Sequence, residues 1–110
     1  MDLFLPIEKQ IAAATGQAFN LRSSQALRGG DINAAYRLQG DSKAYFVKLN
    51  HRHLVEMFAA EFTGLQELAK TNTIRVPNPI VYGQTAKQAF LVLEFMAFGT
   101  SGKTSARLFG

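Results

Sequence analysis

The sequence contains no cysteine and no tryptophan, and only three prolines among 110 residues. Without cysteine there is neither a disulfide framework nor a thiolate metal site, and a cytoplasmic protein is the expectation. No apolar run approaches the roughly 18 residues that mark a membrane-spanning helix, so no membrane partner is expected. The opening Met1-Asp2-Leu3-Phe4-Leu5-Pro6 lacks a basic segment followed by a long apolar one, and so is not read as a secretory signal. Acidic residues are scarce: eight against twelve lysines and arginines, a formal charge of +4. That balance favours anionic partners such as nucleotide phosphates, nucleic acid or acidic surfaces. The cations Arg22, Arg28, Arg37, Lys43, Lys48 and Arg52 are scattered rather than clustered, so nucleic acid is not expected as a partner. There is no internal repeat, no low-complexity tract, no G-x-S-x-G and no convincingly spaced carboxylate pair.

What is present suits one small domain with one core: 47% of the residues are apolar. Pro6 is placed to open a helix, and Ile7, Ile11, Ala14 and Ala18 repeat at helical spacing with Phe19 alongside. This predicts an amphipathic helix over residues 6–19, weakened by Gly16 and ending near Asn20, packed on a sheet. Short strands are expected at Ser23–Leu27, Ala34–Gln39 and Ala44–Asn50, joined by tight turns as an antiparallel meander. A long helix follows over residues 54–70. Val76-Pro77-Asn78-Pro79 must then be extended, because each proline pushes its predecessor out of the helical region. Strands at Ile80–Gly83 and Ala89–Phe95 complete the order, the second interior because Phe90-Leu91-Val92-Leu93 is apolar on both faces. The fold class is therefore α+β: a five-stranded, mostly antiparallel sheet with helices against one face.

Two charges stand out of place. Lys48 is the only charge in the strand Ala44–Asn50. On the long helix the apolar stripe is Leu54, Phe58, Phe62, Leu65 and Ala69, with Met57 and Leu68 beside it. At about 100° per residue Glu61 falls inside this apolar arc, whereas Glu56 and Glu67 fall opposite. A carboxylate on a buried face is costly unless it meets a cation. Either Lys48 and Glu61 meet, or Glu61 reaches the rim and Lys48 snorkels. The adjacent glycines of Gly29-Gly30-Asp31-Ile32-Asn33 let backbone N–H groups approach an anion, although double glycines also serve ordinary hairpins. Glycine turn, strand, lysine strand, glutamate helix, two strands and a small linker is the order of a kinase amino-terminal lobe. Gly102-Lys103-Thr104, with Ala97 at the first glycine position, nearly matches a P-loop. A P-loop needs a following helix and further parallel strands, and the strands before it look like hairpins. His51 and His53 could share a face toward a metal, but no third ligand is near, so they are read as solvated loop residues.

Several of these motifs in one order resemble the fructosamine (ketosamine-3-) kinase family, a relative of the aminoglycoside phosphotransferases and the protein kinases. They are Gly29 to Leu38, Tyr45-Phe46-Val47-Lys48-Leu49-Asn50, Phe58-Ala59-Ala60-Glu61, Gly64-Leu65, Val76-Pro77-Asn78-Pro79-Ile80 and Phe90-Leu91-Val92-Leu93-Glu94. The resemblance implies ATP as phosphoryl donor, a sugar hydroxyl of a ketosamine as acceptor, and a role in reversing protein glycation. Lys48 would hold the α- and β-phosphates and Glu61 would orient it. Gly29, Gly30, Asp31, Ile32 and Asn33 would cover the phosphates. Phe46 would face the adenine pocket, Leu93 would stand at its back, and the Glu94 carbonyl and Met96 N–H would meet the adenine edge. Residues 1–96 would form the nucleotide-binding lobe, and 97–110 the hinge and the start of a carboxyl-terminal lobe. The family's H-G-D-x-W-x-G-N segment is absent from the sequence. The catalytic Asp and the Mg²⁺ ligands are therefore expected in that further lobe, and this piece alone is expected to be inactive. The rival readings are a non-catalytic basic α+β binding module, or a kinase of the same clan with another alcohol acceptor.

Overall fold

Pro6 stands in the first turn of helix α1 (Leu5–Thr15), where its missing N–H costs nothing, and Glu8 adds an acid near the positive helix end. Gly16 adopts a left-handed conformation (φ 75°), and its N–H donates to the Ala12 carbonyl. This ends the helix three to four residues earlier than the apolar spacing of Ala18 and Phe19 predicts. Phe19 lies beyond the helix and is still buried. The computed structural model describes residues 4–27, 33–71 and 75–95.

Strands β1 (Ser23–Leu27), β2 (Ala34–Gln39) and β3 (Ala44–His51) form the expected meander. A short 3-10 turn (Arg52–Leu54) leads into helix α2 (Val55–Thr71), and β4 (Pro79–Gln84) and β5 (Gln88–Glu94) form a hairpin. The sheet order is β1-β2-β3-β5-β4, and every pairing is antiparallel. β5 is interior, with Ala89 to Leu93 buried on both faces. Among the described residues no helix is long and apolar enough to cross a membrane.

The two helices do not share a face, which corrects the expectation of helices on one side. Ile7 and Ile11 of α1 pack with Leu38, Val47, Leu49, Phe90 and Val92. Phe58 of α2, with Val55, Met57, Phe62 and Leu65, packs on Ala89, Leu91 and Leu93 from the other side. Alternation along β3 and β5 sends odd and even positions to opposite faces, so each helix meets its own apolar set. Glu56 and Glu67 are exposed as expected, but so is Leu68, at 42%.

The β2–β3 turn is fixed from outside as well as within. Gly40 N–H donates to the Lys43 carbonyl at 2.7 Å. Arg22 pairs with Asp41, and this hydrogen bond, with one from Asn20, holds the Asp41 carboxyl below its usual range. A Cβ on Gly40 would lie 2.5 and 2.9 Å from two ring carbons of Phe19. That ring is itself buried edge-on against Tyr45 at 5.1 Å and cannot step aside freely. Gly40→Ala is therefore expected to cost about 1–3 kcal/mol of stability by denaturant titration. Gly64→Ala, with open space around its Cβ in the middle of α2, is expected to gain up to about 1 kcal/mol. Equal effects at the two glycines would contradict the Phe19 contact.

Candidate active site

Lys48 occupies the middle of β3, between Val47 and Leu49, whose side chains turn into the α1-side core. Its own side chain therefore emerges on the α2 side. There its Nζ donates to Glu61 Oε2 at 2.7 Å. The lysine side chain is 15% exposed and the glutamate 31%. The two out-of-place charges of the sequence thus resolve each other, and Lys48 does not snorkel to water. Helix α2 is held in the phase this bond needs. Phe58 is fully buried under it, and Phe62 packs on Tyr82 of β4 at 5.1 Å. At its entrance Arg52 Nε donates to the Thr85 carbonyl and Gln84 Nε2 donates to the Arg52 carbonyl, each at 2.8 Å. The 3-10 turn is thereby tied to the β4–β5 hairpin.

Register partners share a face in an antiparallel sheet, so the α2-side face can be read in rows. Asn33 precedes Ala34, the partner of Leu49, and its Oδ1 accepts from Asn50 Nδ2 at 2.6 Å. The next row is Leu27, Ala35, Lys48 and Leu91; the next is Gln25, Arg37, Phe46 and Leu93. Helix α2 packs on β4 and β5. The half of the face formed by β1, β2 and β3 is left without a helix among the described residues. Lys48 and Glu61 lie at the border between covered and open halves. Phe46, half-buried, faces the open half beside Leu93, which is 3% exposed.

The structure brings Asn33, Phe46, Lys48, Glu61 and Leu93 together on this face. Glu94 follows at the end of β5, where its N–H donates to the Asn78 carbonyl and its Oε1 accepts from the Asn78 N–H. Its side chain is thus engaged by the extended Pro77–Pro79 segment. Gly29, Gly30, Asp31, Ile32 and Met96 lie outside the described residues, as do Ala97 and Gly102 to Thr104. His51 and His53 are exposed, with rings stacked 5.5 Å apart. Among the described residues no three His, Cys, Asp or Glu side chains gather to hold a metal ion. Two members of the face escaped the sequence argument as site residues. Asn50 fastens the glycine turn's exit to the lysine strand; its position two residues after Lys48 was the available signal. Arg37 looked like one of several scattered cations, and only the register assigns it to the open half-face.

Known proteins can be compared with this geometry. A family model described as Fructosamine kinase matches residues 4–110. A "Probable ketoamine kinase" of Synechocystis is 43% identical over 99 residues, covering 90% of this chain and 34% of that protein. A chloroplastic protein-ribulosamine 3-kinase of Arabidopsis thaliana is 36% identical over 94 residues, 84% of this chain and 29% of that one. The chain thus spans about a third of the length of the curated relatives it matches. Among solved structures, "Putative fructosamine-3-kinase" from Haemophilus somnus superposes with a TM-score of 0.81 at 30% identity, over 94% of this chain and 35% of that one. A spectinomycin phosphotransferase, solved with ADP and spectinomycin, gives a TM-score of 0.52 at 18% identity over 84% of this chain and 29% of its own. That second likeness is one of fold alone.

The ion pair has a measurable signature in stability. Partial burial sets it between an exposed pair and a fully buried one. Lys48→Met and Glu61→Leu are each expected to cost about 1–2 kcal/mol, and the double variant less than their sum, by a coupling of about 1 kcal/mol. Additive losses in denaturant titrations would show that the contact carries no net energy.

Proposed function

The chain belongs to the fructosamine kinase family, and from that premise we propose that it is the nucleotide-binding lobe of an ATP-dependent kinase acting on ketosamines. The observation that carries the reading is the 2.7 Å bond from Lys48 to Glu61, at the border of an open half-face. An ammonium fixed by a carboxylate is a point charge already oriented for phosphate oxygens, and phosphoryl transfer depends largely on positioning and charge stabilisation. Lys48 is assigned to the α- and β-phosphates and Glu61 to holding it. Gly29, Gly30, Asp31, Ile32 and Asn33 are assigned to covering the phosphates, and the Asn33–Asn50 bond would anchor that turn to β3. Phe46 and Leu93 would enclose the adenine, whose edge would meet the Glu94 carbonyl and the Met96 N–H.

In the reaction the acceptor hydroxyl oxygen bonds to the γ-phosphorus while the bond from that phosphorus to the β–γ bridging oxygen breaks. ADP leaves, and the hydroxyl proton passes to a base. That base is assigned to the carboxyl-terminal lobe, to which residues 97–110 would lead from the lobe formed by 1–96. Mg²⁺, which neutralises phosphate charge in such kinases, is assigned to no described residue of this chain. The ketosamine acceptor draws support from relatives named ketoamine kinase and protein-ribulosamine 3-kinase. The cytoplasm is proposed as its compartment from the cysteine-free composition; the Arabidopsis relative is named chloroplastic.

The test uses the full-length enzyme with ATP and a fructosamine of lysine. Phosphorylation of the sugar is expected, and Lys48→Met is expected to lower kcat/KM at least about a hundredfold while the protein still unfolds cooperatively. A Lys48→Met enzyme with an unchanged rate would refute the phosphate role. An intact enzyme that phosphorylates no ketosamine would refute the acceptor.

A further inference from the structure

Arg37 lies in the Gln25–Arg37–Phe46–Leu93 row of the open half-face, one row from Lys48. Its side chain leans away from Lys48. Arg37 Nη2 donates to Gln39 Oε1 at 2.6 Å, and Gln39 is two residues farther along β2. That acceptor is itself set in place, because Gln39 Nε2 donates to the Gly40 carbonyl at 3.0 Å. The guanidinium carbon stands 4.9 Å from the centroid of the Phe95 ring. Phe95 is the first residue after β5, and β3 separates β2 from β5 in the sheet. The cation and the ring together therefore bridge two strand spacings, roughly 10 Å, across one end of the half-face. The Nε of Arg37 is buried and meets no acceptor among the described residues. A buried donor without an acceptor is costly, so the bond to Gln39 and the stack on Phe95 must hold the guanidinium in place against that cost.

We propose that Arg37 is a positioning residue for the nucleoside end of the nucleotide, acting through Phe95 and Glu94. The proposal rests on the nucleotide reading above. Stacking on Phe95 holds that residue, the first after β5, against the sheet, and with it the neighbouring Glu94. Arg37 points away from Lys48, so its contribution follows the base and sugar and not the phosphates. This distinguishes it from a cation that merely raises the local positive potential.

The test compares ATP with inorganic tripolyphosphate on the full-length enzyme. In Arg37→Met the Kd for ATP is expected to rise roughly fivefold, while the Kd for tripolyphosphate stays within about twofold. KM for ATP should rise by more than kcat falls, and Arg37→Lys should recover part of the loss by restoring the cation over the ring. Lys48→Met, by contrast, should weaken both ligands. If Arg37→Met does not fold, Phe95→Leu removes the other half of the contact and should give the same split. Parallel weakening of ATP and tripolyphosphate, or unchanged ATP affinity, would overturn the assignment while leaving the nucleotide site intact. A wild-type enzyme that binds neither ligand would overturn the nucleotide reading itself, and this inference with it.

Discussion

The Lys48–Glu61 contact constrains more of this fold than any other polar pair. A carboxylate facing a sheet and an ammonium rising from the middle of a strand each carry a desolvation cost that the other helps to offset. Their meeting requires that α2 lie on the face to which Lys48 points. It also requires that the helix be turned so that Glu61, and not Glu56 or Glu67, faces the strand. The apolar contacts of Phe58, Phe62 and Leu65 are compatible with that phase. Hydrophobic burial is non-directional and tolerates some rotation, whereas a 2.7 Å charged hydrogen bond tolerates little. The ion pair thus sets the helix orientation while the apolar stripe supplies the adhesion.

The sheet's two faces divide the work. On one, Ile7 and Ile11 of α1, Phe19, and Tyr45, Val47 and Leu49 of β3 form a continuous core. On the other, α2 covers only the β4–β5 half, and the rest of the face is left to polar and half-buried side chains. A rigid backing with an incomplete front is what a ligand ceiling requires: strand positions are fixed from behind, and the open rows present Ala35, Phe46 and Lys48 in register.

Much of this was legible because the sequence breaks its own pattern in few places. The strands were found within about a residue because alternation and turn residues agree there. Lys48 and Glu61 were visible as charges at apolar positions. The end of α1 was misjudged because Ala18 and Phe19 continue the helical spacing, while a single left-handed Gly16 stops the chain. Amphipathicity tells that a helix buries a face but not which side of a sheet it joins, so the opposite placement of α1 and α2 needed coordinates. Leu68 has an apolar angle on α2 yet is 42% exposed, which the helical spacing alone does not reveal. Arg37 was invisible for a different reason: a lone arginine in a half-apolar strand reads as a solvated residue, and its meaning comes from register with Phe46 and reach to Phe95.

Lys48 and Arg37 show the same physical device at the two ends of one aromatic position. Long cationic side chains ordinarily keep their rotamer freedom and stay wet, and fixing them costs conformational entropy. Here one is fixed by a carboxylate, the other by an amide oxygen and a ring face. That cost is met on folding, so it need not be met again when an anionic or aromatic ligand arrives. Phe46 shares the row of Arg37, next to the row of Lys48, with Leu93 beside it. The half-face thus has a charged end held by an acid and another held by stacking, with an apolar surface between them. A nucleotide has that same sequence of parts, phosphate, sugar and base, and on the proposed reading the half-face would take it in that order.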